Sequence, residues 1–287
     1  MIVISRFVTK NGFTVSQGRY VARTLSTEKK YVETTEKNGV RTICMCDSSS
    51  CNSLSLGMLK SLMTEIKRDE DNKNLRSIVL MSESRKVFSA GHNLKELTAT
   101  NIKSHKDVFE TCSELMRAIS QSPVPIIAAV DGLAAAAGCQ LVVACDIAVC
   151  TERSLFSTPG ANVGLFCSTP AIPLIRNVPR KNAMYMLFTG LPISGKEAYE
   201  YGLVSKVVAN DKLDEEIGQI TNAINIKSRS IMHFGKTFLY EQINLDILTA
   251  YALGTEKMVN NLKMKDAQEG IQSFLEKRKP NWSHDLK

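Results

Sequence analysis

The feature that most constrains this chain is the switching of its hydrophobic period through the first half of the sequence. Val40–Met45 reads as a short strand, and Leu56, Leu59, Met63 and Ile66 then recur at three- and four-residue spacing, marking one face of a helix. Residues 78–81 form a second buried strand. Val108, Cys112, Leu115, Met116 and Ile119 mark a second helix that ends before Pro123, and residues 124–130 read as a third strand behind two prolines. The order strand, helix, strand, helix, strand implies parallel strands joined by crossover helices, hence an α/β core. From about residue 211 the pattern is helical almost throughout. The expected organisation is therefore a core over residues 28–210 and a helical region over 211–287 that packs on the core or on a neighbouring copy.

A chain of 287 residues is long enough to bury a sizeable core, and one large domain is the expectation. Hydrophobic residues at 44% and charged residues at 23% match globular proteins, and no run of about 18 apolar residues exists to span a bilayer. A soluble protein without membrane insertion follows. Residues 1–27 hold Arg6, Lys10, Arg19 and Arg23, several Ser and Thr, and no acidic residue, the composition of an organelle transit peptide. Its loss would remove four of the +7 formal charges and leave +3, which is no nucleic-acid footprint. The cysteines at 44, 46, 51, 112, 139, 145, 150 and 167 form no C-x-x-C pair, so most read as small buried side chains in a reducing compartment. His92, His105, His233 and His284 are too widely spaced to suggest a metal site.

Two segments carry chemistry. Val87-Phe88-Ser89-Ala90-Gly91-His92-Asn93-Leu94-Lys95-Glu96 is a turn after a strand with small residues at its centre, where a ligand can approach backbone N–H groups. Taken alone it reads as an ordinary strand-to-helix turn. Asp131-Gly132-Leu133-Ala134-Ala135-Ala136-Ala137-Gly138-Cys139-Gln140-Leu141 is a small-residue run that opens an apolar helix, and a helix N-terminus has free N–H donors and a positive dipole end. Close helix packing uses such alanine runs too. Two turns of this kind, each following a parallel strand, would bring two N–H groups onto one oxygen.

These segments, together with Pro125-Ile126-Ile127-Ala128-Ala129-Val130 through Cys145-Asp146-Ile147-Ala148, and Thr189-Gly190-Leu191-Pro192-Ile193-Ser194 through Ala198-Tyr199-Glu200-Tyr201-Gly202-Leu203-Val204, resemble the crotonase (enoyl-CoA hydratase/isomerase) superfamily. The resemblance covers roughly residues 35 to 280, in order and at the family's spacing. It implies a crotonase fold of repeated ββα units with a C-terminal helical trimerisation region, a homotrimer or dimer of trimers, and a CoA thioester as ligand with no further cofactor. It implies a mitochondrial, matrix location and a place in fatty-acid and lipid metabolism. By resemblance, the oxyanion hole falls on the backbone N–H groups of His92 and Ala137. Enolate-forming reactions place negative charge on the thioester oxygen, and each preorganised N–H donor contributes about 10²–10³ in rate in well-studied cases. Asn52 and Leu54 fall where the family contacts CoA, Ala90 lies beside the first N–H, and Lys277 and Lys279 fall where basic residues approach the nucleotide phosphates.

The departures bear most on function. Family hydratases carry one glutamate in the small-residue run and a second in the following loop; here those positions are Gln140 and Gly160. An amide can hydrogen-bond a water but cannot take its proton, and glycine can do neither. Each general acid–base group contributes typically about 10²–10⁴, so losing both leaves little hydration. A position used by some family isomerases falls at Ser168, again no carboxylate. Two alternatives stay open: an acyl-CoA lyase or decarboxylase that relies on the oxyanion hole, since family decarboxylases can read Ala-Gly-His as here at Ala90-Gly91-His92, and a non-catalytic interaction protein.

Overall fold

The computed structural model describes residues 29–285; the leader expected over residues 1–27 lies outside the described residues. Ten strands and ten α-helices run through the described residues. The chain opens with β1 (Val32–Lys37), β2 (Val40–Met45), α1 (Leu56–Lys67), β3 (Ser77–Ser82), β4 (Val87–Ser89) and α2 (Ile102–Gln121). It continues with β5 (Ile126–Val130), β6 (Leu133–Ala135), α3 (Ala137–Ala144), β7 (Ile147–Thr151), β8 (Leu155–Ser157), α4 (Ser168–Asn177) and α5 (Arg180–Thr189). Then come β9 (Ile193–Ser194), α6 (Gly195–Glu200), β10 (Lys206–Val208), α7 (Leu213–Asn225), α8 (Arg229–Gln242), α9 (Ile247–Asn261) and α10 (Lys265–Leu275).

The strands sort into two sheets. Six form the order β1-β2-β3-β5-β7-β10, parallel apart from the antiparallel β1–β2 pair, and four form β4-β6-β8-β9, with only β8–β9 antiparallel. Each of the pairs β3/β4, β5/β6 and β7/β8 sends its first strand to one sheet and its second to the other before a helix returns the chain. That is the repeated ββα unit. β1 carries little strand signal in the sequence because Val32, Glu33, Thr34, Thr35, Glu36 and Lys37 form a polar edge strand, largely exposed, with a weak hydrophobic pattern.

The large sheet is buried on both faces, as its parallel strands require. Ile78, Leu80, Ile126, Ala128 and Val130 point into the main core with α1, α2 and α3 residues, whereas the alternate residues Val79, Ile127 and Ala129 point the other way. Leu213 and Ile224 of α7, with Ile217 and Ile220 partly buried beside them, cover that second face. Some helix starts carry side-chain caps. Ser55 accepts from the Met58 N–H at the head of α1, and Ser194 and Glu197 form a reciprocal capping box on α6. Among the described residues no helix is long and apolar enough to cross a membrane.

The C-terminal end is tied down by one carboxylate. Asp266 in α10 is 1% exposed and accepts hydrogen bonds from Ser228 Oγ at 2.6 Å, the Ser283 N–H at 2.7 Å, Ser283 Oγ at 2.8 Å and the His284 N–H at 2.9 Å. Burial by itself would raise this carboxyl; the converging donors outweigh it and hold the pKa at about 2.

Candidate functional site

The two small-residue turns meet. β4 ends at Ser89, and Gly91 takes φ +88, which lets the chain reverse against the loop that opens α3. A Cβ on Gly91 would lie 2.9 Å from Ala135 O and 3.1 Å from the Ala137 nitrogen, and one on Gly138 would lie 2.4 Å from Ser89 O. Only hydrogens allow so close an approach of the two backbones. Ala136, the residue before α3, has φ 49 and ψ −119, a region that L residues avoid, and its N–H is held by Ser157 O at 2.9 Å. Ala137 then contributes the first N–H of the helix, a donor with no acceptor in its own turn. Among the described residues the His92 N–H has no acceptor either. Two uncommitted amides on touching turns can hydrogen-bond one anionic oxygen.

Leu54 fixes the first turn from beneath. Its N–H donates to Gly91 O at 2.7 Å, and its carbonyl takes His92 Nδ1 at 3.2 Å, which puts the proton on Nδ1 and leaves Nε2 as an acceptor. That Nε2 is buried without a partner, and the ring stands edge-on to Phe109 with centroids 5.1 Å apart. Burial lowers the His92 pKa, only partly offset by the Leu54 carbonyl, so the ring is neutral near pH 7. Ala90 is exposed at the turn's tip, its N–H held by Cys51 O at 3.0 Å. The Asn52 side chain is committed inside, donating to Ser82 Oγ at 2.7 Å and Phe88 O at 3.2 Å. Asn52 and Leu54 are 1% and 0% exposed, so their side chains are closed to a ligand and serve to hold the turn in place.

The two positions read as lost carboxylates differ in kind. Gln140 is 4% exposed, lies one turn along α3 from Ala137, and its Oε1 has no partner among the described residues. At Gly160 there is no room for any side chain: a Cβ would lie 2.5 Å from Leu165 O and 2.8 Å from Cys167 Sγ. The loop folds onto itself there, with the Leu165 N–H on Gly160 O at 2.9 Å and the Gly160 N–H on Cys167 Sγ at 3.3 Å. Burial pushes the Cys167 thiol up, countered in part by that N–H, and burial pushes Cys139 up to about 12, so neither is an activated nucleophile. Ser168 is exposed at the head of α4.

A groove of about 1330 Å³ runs beside this point between α2, α3, α4 and α8. Its wall includes Phe109, Gln140, Val143, Ile172, Ile231 and Leu239, but not His92, Ala137 or Gly160. Gln140 and Phe109 are therefore what join it to the two turns. At its floor Lys236 Nζ donates to Ile119 O at 2.8 Å and Val124 O at 3.2 Å and pairs with Asp146 at 2.6 Å, and Tyr240 donates to the same carboxylate at 3.0 Å. Sequence patterns gave no sign of this cluster, or of Phe109, because its members are far apart along the chain. The side chains of Lys277 and Lys279 are exposed beyond α10 and make no hydrogen bond to either turn among the described residues. Nor do these residues contain a group of three His, Cys, Asp or Glu placed to hold a metal ion.

Two interleaved parallel sheets with paired small-residue turns define a crotonase-type protein, and residues 35–285 match the enoyl-CoA hydratase/isomerase family. This chain belongs to that family. It is similar to enoyl-CoA hydratase domain-containing protein 3, mitochondrial, of Rattus norvegicus, with 50% identity over 258 residues, 90% of this chain and 86% of the relative. The Homo sapiens protein of the same name is 52% identical over 249 residues, 86% and 82% of the two chains. The crystal structure of the human protein superimposes with TM-score 0.86 at 50% identity, covering 88% of this chain and 100% of that one. An enoyl-CoA hydratase from Mycobacterium smegmatis follows at TM-score 0.85 and 41% identity, covering 88% and 99%. The vertebrate relatives carry a mitochondrial designation, in agreement with the location expected from the leader.

Proposed function

We propose that this protein binds acyl-CoA thioesters in the mitochondrial matrix, in fatty-acid and lipid metabolism, and hydrates enoyl-CoA poorly or not at all. The observation that carries the reading is a contrast within one site. The turns bearing the His92 and Ala137 amides touch and leave both donors uncommitted, while the position of one expected carboxylate is sealed by Leu165 and Cys167 and the other holds a neutral amide. A thioester oxygen between the two N–H groups gains electrostatic stabilisation that needs no side-chain proton. Water addition to a double bond needs a base for the water and an acid for the carbon, and Gln140 and Gly160 supply neither. On this reading Asn52, Leu54 and Ala90 shape the CoA-facing loop through backbone groups, and Lys277 and Lys279 meet the nucleotide phosphates. The chain assembles as a homotrimer or a dimer of trimers, in support of which Leu248, Tyr251, Phe274 and Leu275 of α9 and α10 are 72% exposed or more.

Two measurements test this together. A thermal-shift series with CoA thioesters should show stabilisation, about 2.7 kcal/mol at 100 times the dissociation constant. Crotonyl-CoA absorbance should persist at protein concentrations that would exhaust it with an active family hydratase. Rapid loss of absorbance would overturn the reading of the missing carboxylates. No shift with any thioester would leave the interaction-protein alternative.

The unpartnered Nε2 of the neutral His92 favours one further reading, an enzyme that splits malonyl-type thioesters. Loss of CO₂ in the wild type but not in His92→Ala would establish it.

A further inference from the structure

Cys44 and Cys46 belong neither to the small-residue turns nor to the groove beside them. Residues two apart in a strand share one face. Ile43 and Met45 of β2 enter the main core, whereas Val40 meets the second face of the large sheet, and Cys44 lies on that second face. Cys46 follows it there, its N–H continuing the pairing towards the β1 side on Tyr31 O at 3.0 Å. The register sets Glu33 of β1 opposite Cys44 on one side and Met81 of β3 on the other, and Glu83 comes two residues after Met81. Leu213 and Ile224 of α7 cover this face over Val79, Ile127 and Ala129. The three sulfurs lie towards the β1 edge of the sheet and are half-buried.

Two thiols, a thioether and two carboxylates thus share one patch, with Lys30 beside it and already paired with Glu33 at 2.7 Å. The thiols themselves are weakly held, reaching Met45 O and Lys30 O at 3.9 Å. Burial, then Cys46, Glu83 and Glu33, push the Cys44 thiol up to about 11, and burial with Glu33 raises Cys46 as well, Lys30 opposing. Surroundings that resist a bare thiolate favour a cation that takes the place of the two protons.

Geometry and softness select that cation. Residues two apart in a strand are separated by about 6.7 Å, too far for the roughly 3.8 Å between Cβ atoms of a disulfide. A metal ion held by two sulfurs at about 2.3 Å each needs them only about 4.6 Å apart, which side chains leaning towards each other along the strand can reach. Zinc takes four ligands, and no group of three His, Cys, Asp or Glu among the described residues is placed to hold it. Thiolate and thioether are soft ligands, and two thiolates with one thioether suit copper(I).

We propose that Cys44 and Cys46 form a copper(I) site on the second face of the large sheet, binding through two thiolates with Met81 as a third, weaker ligand. One Cu⁺ and two thiols give a bis-thiolate complex of charge −1 and two released protons, with no electron transferred. The site is independent of acyl-CoA binding.

Anaerobic titration of the reduced full chain with copper(I), against the chromophoric chelator bathocuproine disulfonate, tests the proposal. The protein should take up one equivalent and release about two protons. Cys44→Ser and Cys46→Ser should each weaken uptake about a hundredfold, the loss expected when a chelating pair becomes a single ligand. Met81→Leu should weaken it less, and Cys51→Ser, which removes an exposed thiol, should leave it unchanged. Thermal melts report whether the variants are folded, and X-ray absorption of the wild-type complex, which needs no variant, should show sulfur neighbours alone. Uptake that persists in folded Cys44→Ser and Cys46→Ser, or that Cys51→Ser abolishes, would place adventitious copper on another thiol and overturn the site. No uptake against the chelator, or a first shell of nitrogen and oxygen, would overturn it too. Zinc bound as tightly as copper(I) would refute the choice of cation.

Discussion

Replacing Gln140 by glutamate places one carboxylate on α3, and the consequence for hydration can be set against that of adding a second at position 160. A single general acid–base group contributes about 10²–10⁴ in rate, so Gln140→Glu should raise crotonyl-CoA hydration by about 10² over the wild type. Gly160→Glu should add nothing further. Its Cβ would stand 2.5 Å from Leu165 O and 2.8 Å from Cys167 Sγ, where unstrained carbon–oxygen contacts need about 3.3 Å, so the loop has to open by nearly an ångström. Opening it strains the Leu165 N–H bond to Gly160 O and the Gly160 N–H contact with Cys167, at a cost of about 1–3 kcal/mol. For a domain of this size that is a fall in Tm of roughly 2–12 °C, and Gly160→Ala should show most of it because the clash begins at Cβ. The assay follows the conjugated thioester absorbance for the wild type, Gln140→Glu, Gly160→Glu and the double variant, with a melt of each. The double variant should stay within threefold of Gln140→Glu and melt lower. A double variant at least tenfold faster than Gln140→Glu with an unchanged Tm would refute the claim that this loop has no place for a catalytic side chain.

Ala137→Val should weaken acyl-CoA binding in a folded protein by crowding the opening of α3, whereas His92→Ala, which keeps its N–H, should leave binding largely intact; titration of both variants checks this. Asp266→Asn should destabilise the fold by about 2–4 kcal/mol at neutral pH, since five donors lose a charged acceptor. The Asp266 pKa is lowered from 3.8 to about 2 on folding, so its contribution is present above pH 4 and fades as pH falls towards 2; denaturant melts should show the gap between variant and wild type narrowing over that window, and a gap constant with pH would refute the assignment. Lys236→Met should cost about 3–5 kcal/mol by leaving the Asp146 carboxylate without its buried partner, and equilibrium unfolding that differs from wild type by less than 1 kcal/mol would show the pair to be dispensable.

The sequence by itself determined the local elements and the kind of backbone that the site uses. The unbroken apolar run Ile126, Ile127, Ala128, Ala129 and Val130 behind two prolines reads as a buried strand, and the spacing of Val108, Cys112, Leu115 and Ile119 reads as a helix with one buried side. The small residues at Ser89-Ala90-Gly91 and Ala135-Ala136-Ala137-Gly138 marked two places where backbone could come close to a ligand or to another backbone. Which of these it was, only the tertiary structure decided: residues remote in sequence meet because β4 and β6 are parallel neighbours, and pairing across a sheet leaves no trace in local periodicity. The split into two sheets was hidden for the same reason, and β4, β6 and β8 are too short for a hydrophobic period to register. Chemical identity alone distinguished Gln140 and Gly160 from glutamates. That the first is a buried amide without a partner and the second a point where the loop closes on itself follows from the packing of Leu165, Cys167 and α3 around them, and packing is a property of the folded chain that no residue carries alone.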